Sequence, residues 1–298
     1  LKPWSEDLIP LDSARTLDGL FVQRVRRSPE RVAYRRFQRG EQSWAALTWR
    51  AMARQVGRWQ QALSEQGLQP GDRVAVALRN GPEWVMFDQA SLGLGLVTVP
   101  LYTDDRAENA AYILQDAAAR LLLIQDAGRW KRLAPVIGGH RHPERVVLLD
   151  AGAEAQRLAR QDPRVVTAHE WLPEQGREVR QREGDPHALA TIVYTSGTTG
   201  RPKGVMLTHH NILSNSHGAL TVLACYPEDV FLSFLPLSHM FERTAGYYVP
   251  MMAGAQVAYA RSVVQLAEDM VTIRPTVLIA VPRVFERVYQ RLHAQMKQ

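Results

Sequence analysis

Eleven consecutive residues, YTSGTTGRPKG from Tyr194 to Gly204, combine the residue types that bind phosphate groups. Glycines at positions 197, 200 and 204 allow positive φ and a close approach of backbone N–H groups to an anion. The serine and threonine hydroxyls can bond phosphate oxygens or a bound Mg²⁺, and Lys203 adds a mobile positive charge. Lys203 is also the only lysine between Lys131 and Lys297. The segment therefore predicts a phosphate-binding loop.

Two well-known phosphate motifs do not fit this segment, and a plain surface turn is the alternative interpretation. A Walker A loop needs four residues between its glycines, whereas Gly197 and Gly200 are separated by two and Pro202 precedes the lysine. The dinucleotide-binding pattern GxGxxG is absent from this position. A flexible turn rich in glycine and threonine fits the composition equally well.

A second candidate for chemistry is His239, in the string PLSHMFER. A single histidine after a buried strand is more often a packed or capping residue than a catalytic one. The residues that follow suit either an adaptable hydrophobic tunnel or an ordinary core, because they are aromatic or carry thioethers: Met240, Phe241, Tyr247, Tyr248, Met251 and Met252. His140 and His142 have no nearby cysteine or third ligand, so we interpret them as surface loop residues.

The elements that must position these residues alternate between apolar runs and segments with helical spacing. Helical spacing occurs from Glu108 to Ala119, around Trp84 and Phe87, and from His209 onward. The apolar runs that predict strands are residues 72–79, 96–101, 120–126, 144–150, 188–195, 229–236, 255–260 and 276–282. This alternation predicts an α/β fold with mixed, mostly parallel sheets flanked by helices.

The sequence also predicts two subdomains. Between about residues 151 and 186 the periodicity fades into a polar, charge-rich stretch, which predicts a solvated connection. We place an N-terminal α/β subdomain at residues 1–183 and a second α/β subdomain, which carries the phosphate loop, at residues 184–298. From Arg283 an amphipathic segment runs to Gln298 without a C-cap, so we expect that the chain is cut within an element.

Composition and charge exclude several classes of protein. The chain is 46% hydrophobic and 22% charged, which is typical of a globular protein, and no apolar run is long enough for a membrane helix. A single cysteine, Cys225, and the lack of a secretory signal predict a cytoplasmic protein. The net charge of +6 suits anionic partners, but the arginines form no basic stripe interleaved with aromatics, so we do not expect nucleic-acid binding.

The complete string from Tyr194 to Gly204 resembles the phosphate-loop signature of the AMP-forming adenylating enzymes. This family includes acyl-CoA synthetases, the adenylation domains of peptide synthetases, and luciferases. Residues 47–102 are similar to the family's N-terminal region, including its NGPEW turn, and residues 234–260 and 274–292 are most similar to the long-chain fatty acyl-CoA synthetase branch. The resemblance covers essentially the entire chain and implies a truncated N-terminal part of the adenylate-forming enzyme fold.

The resemblance also implies roles for individual residues. His239 matches the histidine at the junction of the acyl and nucleotide sites, and with Lys203 it is an expected catalytic residue. Thr195 and Thr199 are expected to help seat Mg²⁺. The residues implied to hold the β- and γ-phosphates of ATP are Thr195, Ser196, Gly197, Thr198, Thr199, Gly200 and Lys203.

The motif of the long-chain branch continues after His239 and is completed by Glu242 and Arg243. Phe241, Glu242 and Arg243 are expected to bind substrate together with His239, in a second subdomain that would then carry the acyl pocket. A pairing of Glu242 with Arg243 can also be purely structural. The physical pattern alone does not separate these two roles.

The resemblance implies a two-step reaction and a longer protein. ATP and a fatty acid carboxylate would give an acyl-adenylate and pyrophosphate, and the thiol of coenzyme A would then displace AMP. The family's adenine-binding aromatic, acidic Mg²⁺ ligand, ribose-binding aspartate, hinge and C-terminal catalytic lysine do not occur in this sequence. We therefore expect an N-terminal fragment of a long-chain fatty acid–CoA ligase that lacks the small C-terminal domain and is inactive without it.

Other functions stay open at the level of the sequence. One is an acyl-AMP ligase that feeds a carrier protein, and another is a non-catalytic module that binds a nucleotide or an acyl chain. A peripheral contact with the inner face of the membrane also stays open, because long-chain substrates partition into bilayers and the chain is basic. A homodimer is equally compatible with the sequence.

Overall fold

Strands and helices alternate along most of the chain. The computed structural model describes residues 7–182, 184–195 and 201–286. The strands in these ranges are β1 Val32–Gln38, β2 Ser43–Thr48, β3 Arg73–Ala77, β4 Val97–Pro100, β5 Ala119–Ile124, β6 Arg145–Leu148, β7 Val165–Thr167, β8 Leu189–Thr195, β9 Lys203–Thr208, β10 Val230–Ser233 and β11 Gln256–Tyr259.

The helices cover the faces of the sheets that these strands form. They are α1 Leu11–Ala14, α2 Leu17–Arg27, α3 Trp49–Ser64, α4 Pro82–Gly93, α5 Ala107–Asp116, α6 Ala127–Ile137, α7 Ala153–Gln161, α8 Ala168–Trp171, α9 His209–Val222, α10 Met240–Arg243, a π-helix Thr244–Tyr248, α11 Val249–Ala253 and α12 Leu266–Ile273. Helical conformation also begins at Pro282 and reaches Glu286, the last described residue. The predicted helix from His209 is confirmed, with Thr208 and Asn211 forming a capping box.

Seven strands form one sheet in the order β7-β6-β5-β3-β4-β8-β9. All neighbours are parallel except β8 and β9, which form an antiparallel hairpin. The inner strands are buried on both faces, which explains why they appear in the sequence as continuous apolar runs. The predicted α/β fold with mostly parallel sheets is confirmed.

The second sheet has four strands in the order β10-β11-β1-β2. Strand β1 pairs parallel with β11 and antiparallel with β2, so residues 32–48 lie beside residues 230–259. Strands β8 and β9, from beyond residue 183, belong instead to the seven-stranded sheet. Each sheet therefore contains strands from both sides of residue 183. The division into subdomains at residues 1–183 and 184–298 stays a prediction, and the strand pairing does not follow that boundary.

Helix α4 occupies the centre of the molecule. Every residue from Pro82 to Gly93 except Glu83 is buried, and a helix that is apolar on all sides is typical of an interior position. Trp84 packs edge-on against Tyr247 of the π-helix, with ring centroids 6.1 Å apart. The core therefore joins α4 directly to the segment that follows His239.

Two sequence-based expectations about elements were wrong, and the strand that follows the phosphate loop was not predicted. Residues 151–186 contain α7, β7 and α8, so only the part after Trp171 is a connection. Residues 276–282 form no strand: Val277 makes an isolated parallel bridge to Phe231, and the backbone pairing with β10 stops there. The run from Lys203 to Thr208 is strand β9, because it pairs residue by residue with β8.

The connection from residue 173 to residue 182, which we call the strap, is bound tightly to α3. Its Arg180 N–H donates to Gln60 Oε1 at 2.8 Å, and Gln60 Nε2 donates to the Arg180 carbonyl at 2.9 Å. Gly57 and Gly176 allow the two backbones to touch, since a Cβ on either residue would overlap the other segment. The strap is therefore packed against α3 although its sequence is rich in charged residues.

Candidate active site

The hairpin of β8 and β9 holds the ends of the predicted phosphate loop. Thr195, the last residue of β8, pairs with Lys203, the first residue of β9, and both are exposed. The base of the hairpin is fixed because Tyr194 Oη donates to Asp116 Oδ2 at 2.6 Å. Burial and this carboxylate raise the pKa of Tyr194, so its hydroxyl keeps its proton. Ser196, Gly197, Thr198, Thr199 and Gly200 lie outside the described residues.

His239 is the N-cap of α10, and its ring nitrogens are distinguished by that position. The backbone N–H of Phe241 donates to His239 Nδ1 at 3.2 Å. In the neutral imidazole the ring proton is then on Nε2, which can act as a hydrogen-bond donor. His239 is exposed, and so is its neighbour Phe241. The structure therefore presents an N–H donor beside an exposed aromatic ring.

Glu242 lies inside the protein directly below this pair. Its side chain is completely buried, and Ser233 Oγ donates to Glu242 Oε1 at 2.6 Å. Within the described residues, Oε2 has no hydrogen-bond partner. Burial raises the pKa of Glu242 to about 7, against the opposing effect of the Ser233 hydroxyl. Glu242 does not pair with Arg243.

Arg243 forms a buried ion pair with Asp88 at the middle of α4. Arg243 Nη2 lies 2.5 Å from Asp88 Oδ1, and both side chains are completely buried. Tyr248 Oη donates to Asp88 Oδ2 at 2.6 Å, and Tyr247 Oη donates to the same oxygen at 3.2 Å. Burial acts to lower the pKa of Arg243, but Asp88 together with Tyr248 and Tyr247 outweighs this effect, so the pKa is raised.

The same guanidinium also binds the strand that leads to the phosphate loop. Arg243 Nη1 donates to Thr191 Oγ1 on β8 at 2.8 Å, and Nη2 donates to Thr98 Oγ1 on β4 at 2.9 Å. Thr191 Oγ1 in turn donates to the Thr98 carbonyl at 2.7 Å. Through Arg243, the segment that begins with His239 is therefore connected to β8, four residues before Thr195.

Asn80, which follows β3, holds the other side of this segment. Its Nδ2 donates to Ser233 Oγ at 3.1 Å and to the Leu235 carbonyl at 2.6 Å. The Leu237 N–H donates to Asn80 Oδ1 at 2.9 Å. The carboxyl ends of β3 and β10 therefore meet below His239, and ligands of α/β proteins bind at such strand ends.

The remaining predicted residues are divided between surface and core. Tyr247, Tyr248, Met251 and Met252 are almost completely buried, so in this structure they pack in the core, as one of the two interpretations expected. Phe241 is 46% exposed and is the side chain of this stretch most open to a ligand. Within the described ranges no cluster of three metal-binding side chains occurs, around His142 or elsewhere.

Several residues that position the site were not predicted from the sequence. Asp88, Thr98 and Thr191 contact Arg243 from positions 52 to 155 residues away along the chain, a separation that no local pattern reveals. Asp88 did carry one signal: it is the single charged residue in the helical stretch from Trp84 to Gly93. A charge in such a place needs a buried partner.

The comparison with protein families assigns the chain to a known group. The model of the AMP-binding enzyme family matches residues 21–298, which is most of the chain. The chain is a member of the AMP-binding enzyme family. The resemblance predicted from Tyr194 to Gly204 is thus confirmed at the level of the family.

Curated relatives within this AMP-binding family are long-chain acyl-CoA synthetases. The peroxisomal long chain acyl-CoA synthetase 7 of Arabidopsis thaliana is 31% identical over 87% of this chain. The long-chain-fatty-acid–CoA ligase FadD15 of Mycobacterium bovis is 33% identical over 91% of this chain. The chain spans only 37% and 44% of the length of these two relatives, respectively.

Solved structures of the family show the same fold. The N-terminal domain of FACL13 from Mycobacterium tuberculosis, with inhibitor bound, aligns with 92% of this AMP-binding family member at a TM-score of 0.74 and 25% identity. An anthranilate CoA ligase in complex with anthranoyl-AMP aligns with 93% of it at a TM-score of 0.80 and 19% identity. The chain covers 65% and 51% of these structures, respectively, so the fold corresponds to part of the larger enzyme fold.

The described helices of the structure are too short or too polar to span a membrane. In residues 7–182, 184–195 and 201–286, no helix is both long and apolar enough to cross a bilayer.

Proposed function

We propose that the protein containing this chain is an AMP-forming acid–thiol ligase that activates long-chain fatty acids. A carboxylate oxygen attacks the α-phosphorus of ATP, the bond to pyrophosphate breaks, and an acyl-adenylate forms. The thiol sulfur of coenzyme A then attacks the acyl carbonyl carbon, and AMP leaves. The observation that carries the proposal is the connection through Arg243 between the His239 segment and β8, which ends at the loop.

The β8–β9 hairpin would bind the phosphates of ATP. Its antiparallel pairing brings the exposed residues Thr195 and Lys203 together at the base of the loop. The Lys203 ammonium would offset phosphate charge there, as electrostatic positioning requires. The Thr195 hydroxyl is a hard oxygen donor of the kind Mg²⁺ accepts, and phosphate oxygens and water would supply the other ligands. When bound, Mg²⁺ would neutralise charge on the phosphates.

His239 would orient the fatty acid carboxylate. Because its Nδ1 accepts the Phe241 N–H, its Nε2–H is available to donate to a carboxylate oxygen. A hydrogen bond to one oxygen would leave the other free to attack phosphorus. The exposed ring of Phe241 would contact the first carbons of the acyl chain.

Glu242 and Arg243 would act on substrate through His239 rather than by direct contact. Both side chains are completely buried, and their partners are Ser233 in one case and Asp88, Thr98 and Thr191 in the other. This arrangement supports a positioning role in place of the predicted substrate contact. It fixes His239 relative to the strand that carries Thr195.

Coenzyme A is the proposed acceptor because the curated relatives are named as acyl-CoA synthetases or fatty-acid–CoA ligases. Those names favour it over transfer to a carrier protein. The residues that would bind the adenine and ribose, and the small C-terminal domain, are proposed to lie in the remainder of the longer protein. The complete reaction is proposed to need that remainder.

The phosphate site is tested by calorimetry of ATP–Mg²⁺ binding to this chain with and without palmitate. Lys203→Ala should weaken binding about tenfold to a hundredfold, the usual effect of losing a charged hydrogen bond. The control is Lys131→Ala, which removes an exposed lysine paired with Glu154 and should leave affinity unchanged. Equal affinities for the chain and Lys203→Ala would contradict the proposed phosphate site, whereas no binding by either would mean that the remainder of the protein is needed to build the nucleotide site.

A further inference from the structure

The strap and helices α2 and α3 line an open groove that extends to Pro186, shortly before β8. Two adjoining cavities of about 820 Å³ and 280 Å³ occupy it, and Val22, Arg26 and Val179 line both of them. The larger cavity lies within the size range of small-molecule sites. We call these two cavities and their rim the arginine groove.

Five exposed arginines from three separate segments line the arginine groove. They are Arg15 and Arg26 at α2, Arg50 and Arg54 on α3, and Arg177 on the strap. Among the described residues, only Arg50 of these five has a side-chain partner, Glu30 at 2.6 Å. Among the described residues that line the groove, the acidic ones are Glu178 and Asp185, so the arginines outnumber them.

The floor between these arginines is apolar. Phe21 is buried, and Val22, Val25, Ala53 and Val179 are half-buried along the two cavities. A small hydrated anion would contact the arginines but leave this surface in water. An anion attached to a hydrocarbon chain would satisfy both parts, because the charge would meet the rim and the chain would cover the floor.

The groove is held in shape by the packing of the strap on α3. The paired hydrogen bonds between Gln60 and Arg180 fix the strap, and Arg58 Nε donates to the Pro173 carbonyl at 2.7 Å. The close approach of Gly57 and Gly176 removes any space for the strap to slide. The position of Arg177 opposite Arg26 and Arg54 is thus set by the fold.

We propose that the arginine groove binds the phosphodiester headgroup of an acidic phospholipid at a membrane surface. Guanidinium groups bind phosphate oxygens in bidentate geometry, and the apolar floor accepts the adjoining glycerol and acyl carbons. A nucleic acid fits less well, because among the described residues that line the two cavities the only aromatic ring, Phe21, is buried and offers no face for base stacking. The proposal does not depend on the nucleotide chemistry.

The test is co-sedimentation of this chain with vesicles. One preparation is phosphatidylcholine alone, and the other is a two-to-one mixture of phosphatidylcholine and phosphatidylglycerol. The test variant carries Arg26→Gln, Arg54→Gln and Arg177→Gln, and the matched control carries Arg106→Gln, Arg132→Gln and Arg160→Gln. All six arginines are exposed, so both variants lose the same surface charge. Circular dichroism confirms that each variant is folded.

The chain should bind the mixed vesicles and not those of phosphatidylcholine alone. The groove variant should bind the mixed vesicles about a hundredfold more weakly, whereas the control should remain within a few-fold of the unaltered chain. Equal losses in both variants would show that net charge alone drives binding and would overturn the proposal. So would absence of binding by the unaltered chain, or tighter binding to a single-stranded oligonucleotide than to the mixed vesicles.

Discussion

The ion pair of Asp88 and Arg243 places two charged groups in the interior of the protein. Both groups are completely removed from water, and desolvating two charges costs several kcal/mol per ion before their attraction is counted. The pair is retained within a network of two tyrosines and two threonines that satisfies most of its hydrogen-bonding groups. Apolar residues of similar size would fill this space at less cost, which supports a positioning role for Arg243.

Glu242 gives the chain a stability that depends on pH. Its pKa is about 7 in the folded state and 4.5 in the unfolded chain, so the folded state binds the extra proton between these values. The free energy of unfolding therefore falls as the pH rises from 4.5 to 7 and is constant above that range. The expected fall from this one group is about 3 kcal/mol.

Glu242→Gln should remove this dependence, because an amide keeps the acceptor for Ser233 and does not ionise. Urea unfolding of both proteins from pH 4.5 to 8 measures the difference between their free energies. Burial also raises the pKa of Asp18 to about 6 and lowers that of His209 to about 4. Both groups titrate in the same way in the two proteins, so their contributions cancel in the difference between the free energies of unfolding. A difference that does not change with pH would show that Glu242 ionises normally.

The strap is the element whose structure departs most from its sequence. Its residues are charged and lack periodicity, yet its backbone rests directly on α3 at a pair of glycines. Glycine in the interior of a helix usually costs about 1 kcal/mol relative to alanine, so Gly57 is retained against local propensity. The contact with the Arg177 carbonyl is the reason, because no Cβ fits there.

Gly57→Ala should therefore destabilise the chain by roughly 1–3 kcal/mol, the usual cost of overpacking. The control is Gly218→Ala in α9, also inside a helix, where no atom lies within 4 Å of the new Cβ. That substitution should stabilise the chain by about 1 kcal/mol. Hydrogen exchange should show faster exchange of the Arg180 amide in Gly57→Ala only. Stabilisation by both substitutions would mean that the strap does not rest on α3.

At the scale of the whole molecule, sequence patterns predicted most strands of the parallel sheet but not which elements lie beside one another. Strands β3 to β6 were predicted because strands buried on both faces have continuous apolar sequences. Strand β1 was missed because Arg35 and Arg36 interrupt its apolar pattern, and they bind Gln256 and Glu83. The loop string and His239 are local motifs, whereas the partners that hold them come from distant segments.

The two sheets meet through Asn80. This residue follows β3 of the seven-stranded sheet, and its amide makes three hydrogen bonds to Ser233, Leu235 and Leu237 at the end of β10. The turn was recognisable in the sequence, but its partners lie more than 150 residues away. The position of His239 relative to the seven-stranded sheet therefore depends on a contact between the sheets as well as on Arg243.

Asn80→Ala should release the segment from Ser233 to His239. The expected loss of stability is about 2 kcal/mol, since each hydrogen bond contributes about 1 kcal/mol and the three are not additive. The Leu237 amide should lose protection from hydrogen exchange. Asn109→Ala removes one bond, to Asp105 at the start of α5, and should leave Leu237 protected.

Asn80→Asp separates the two halves of this contact, because a carboxylate keeps the acceptor for the Leu237 N–H and loses both donors. Leu237 should then stay protected, while affinity for a fatty acid carboxylate falls if the donors to Ser233 and the Leu235 carbonyl fix His239. Calorimetry with palmitate compares the three variants with the unaltered chain. If Asn80→Ala and Asn80→Asp both bind palmitate as the unaltered chain does, the junction of the sheets does not position His239, and Arg243 alone must hold it.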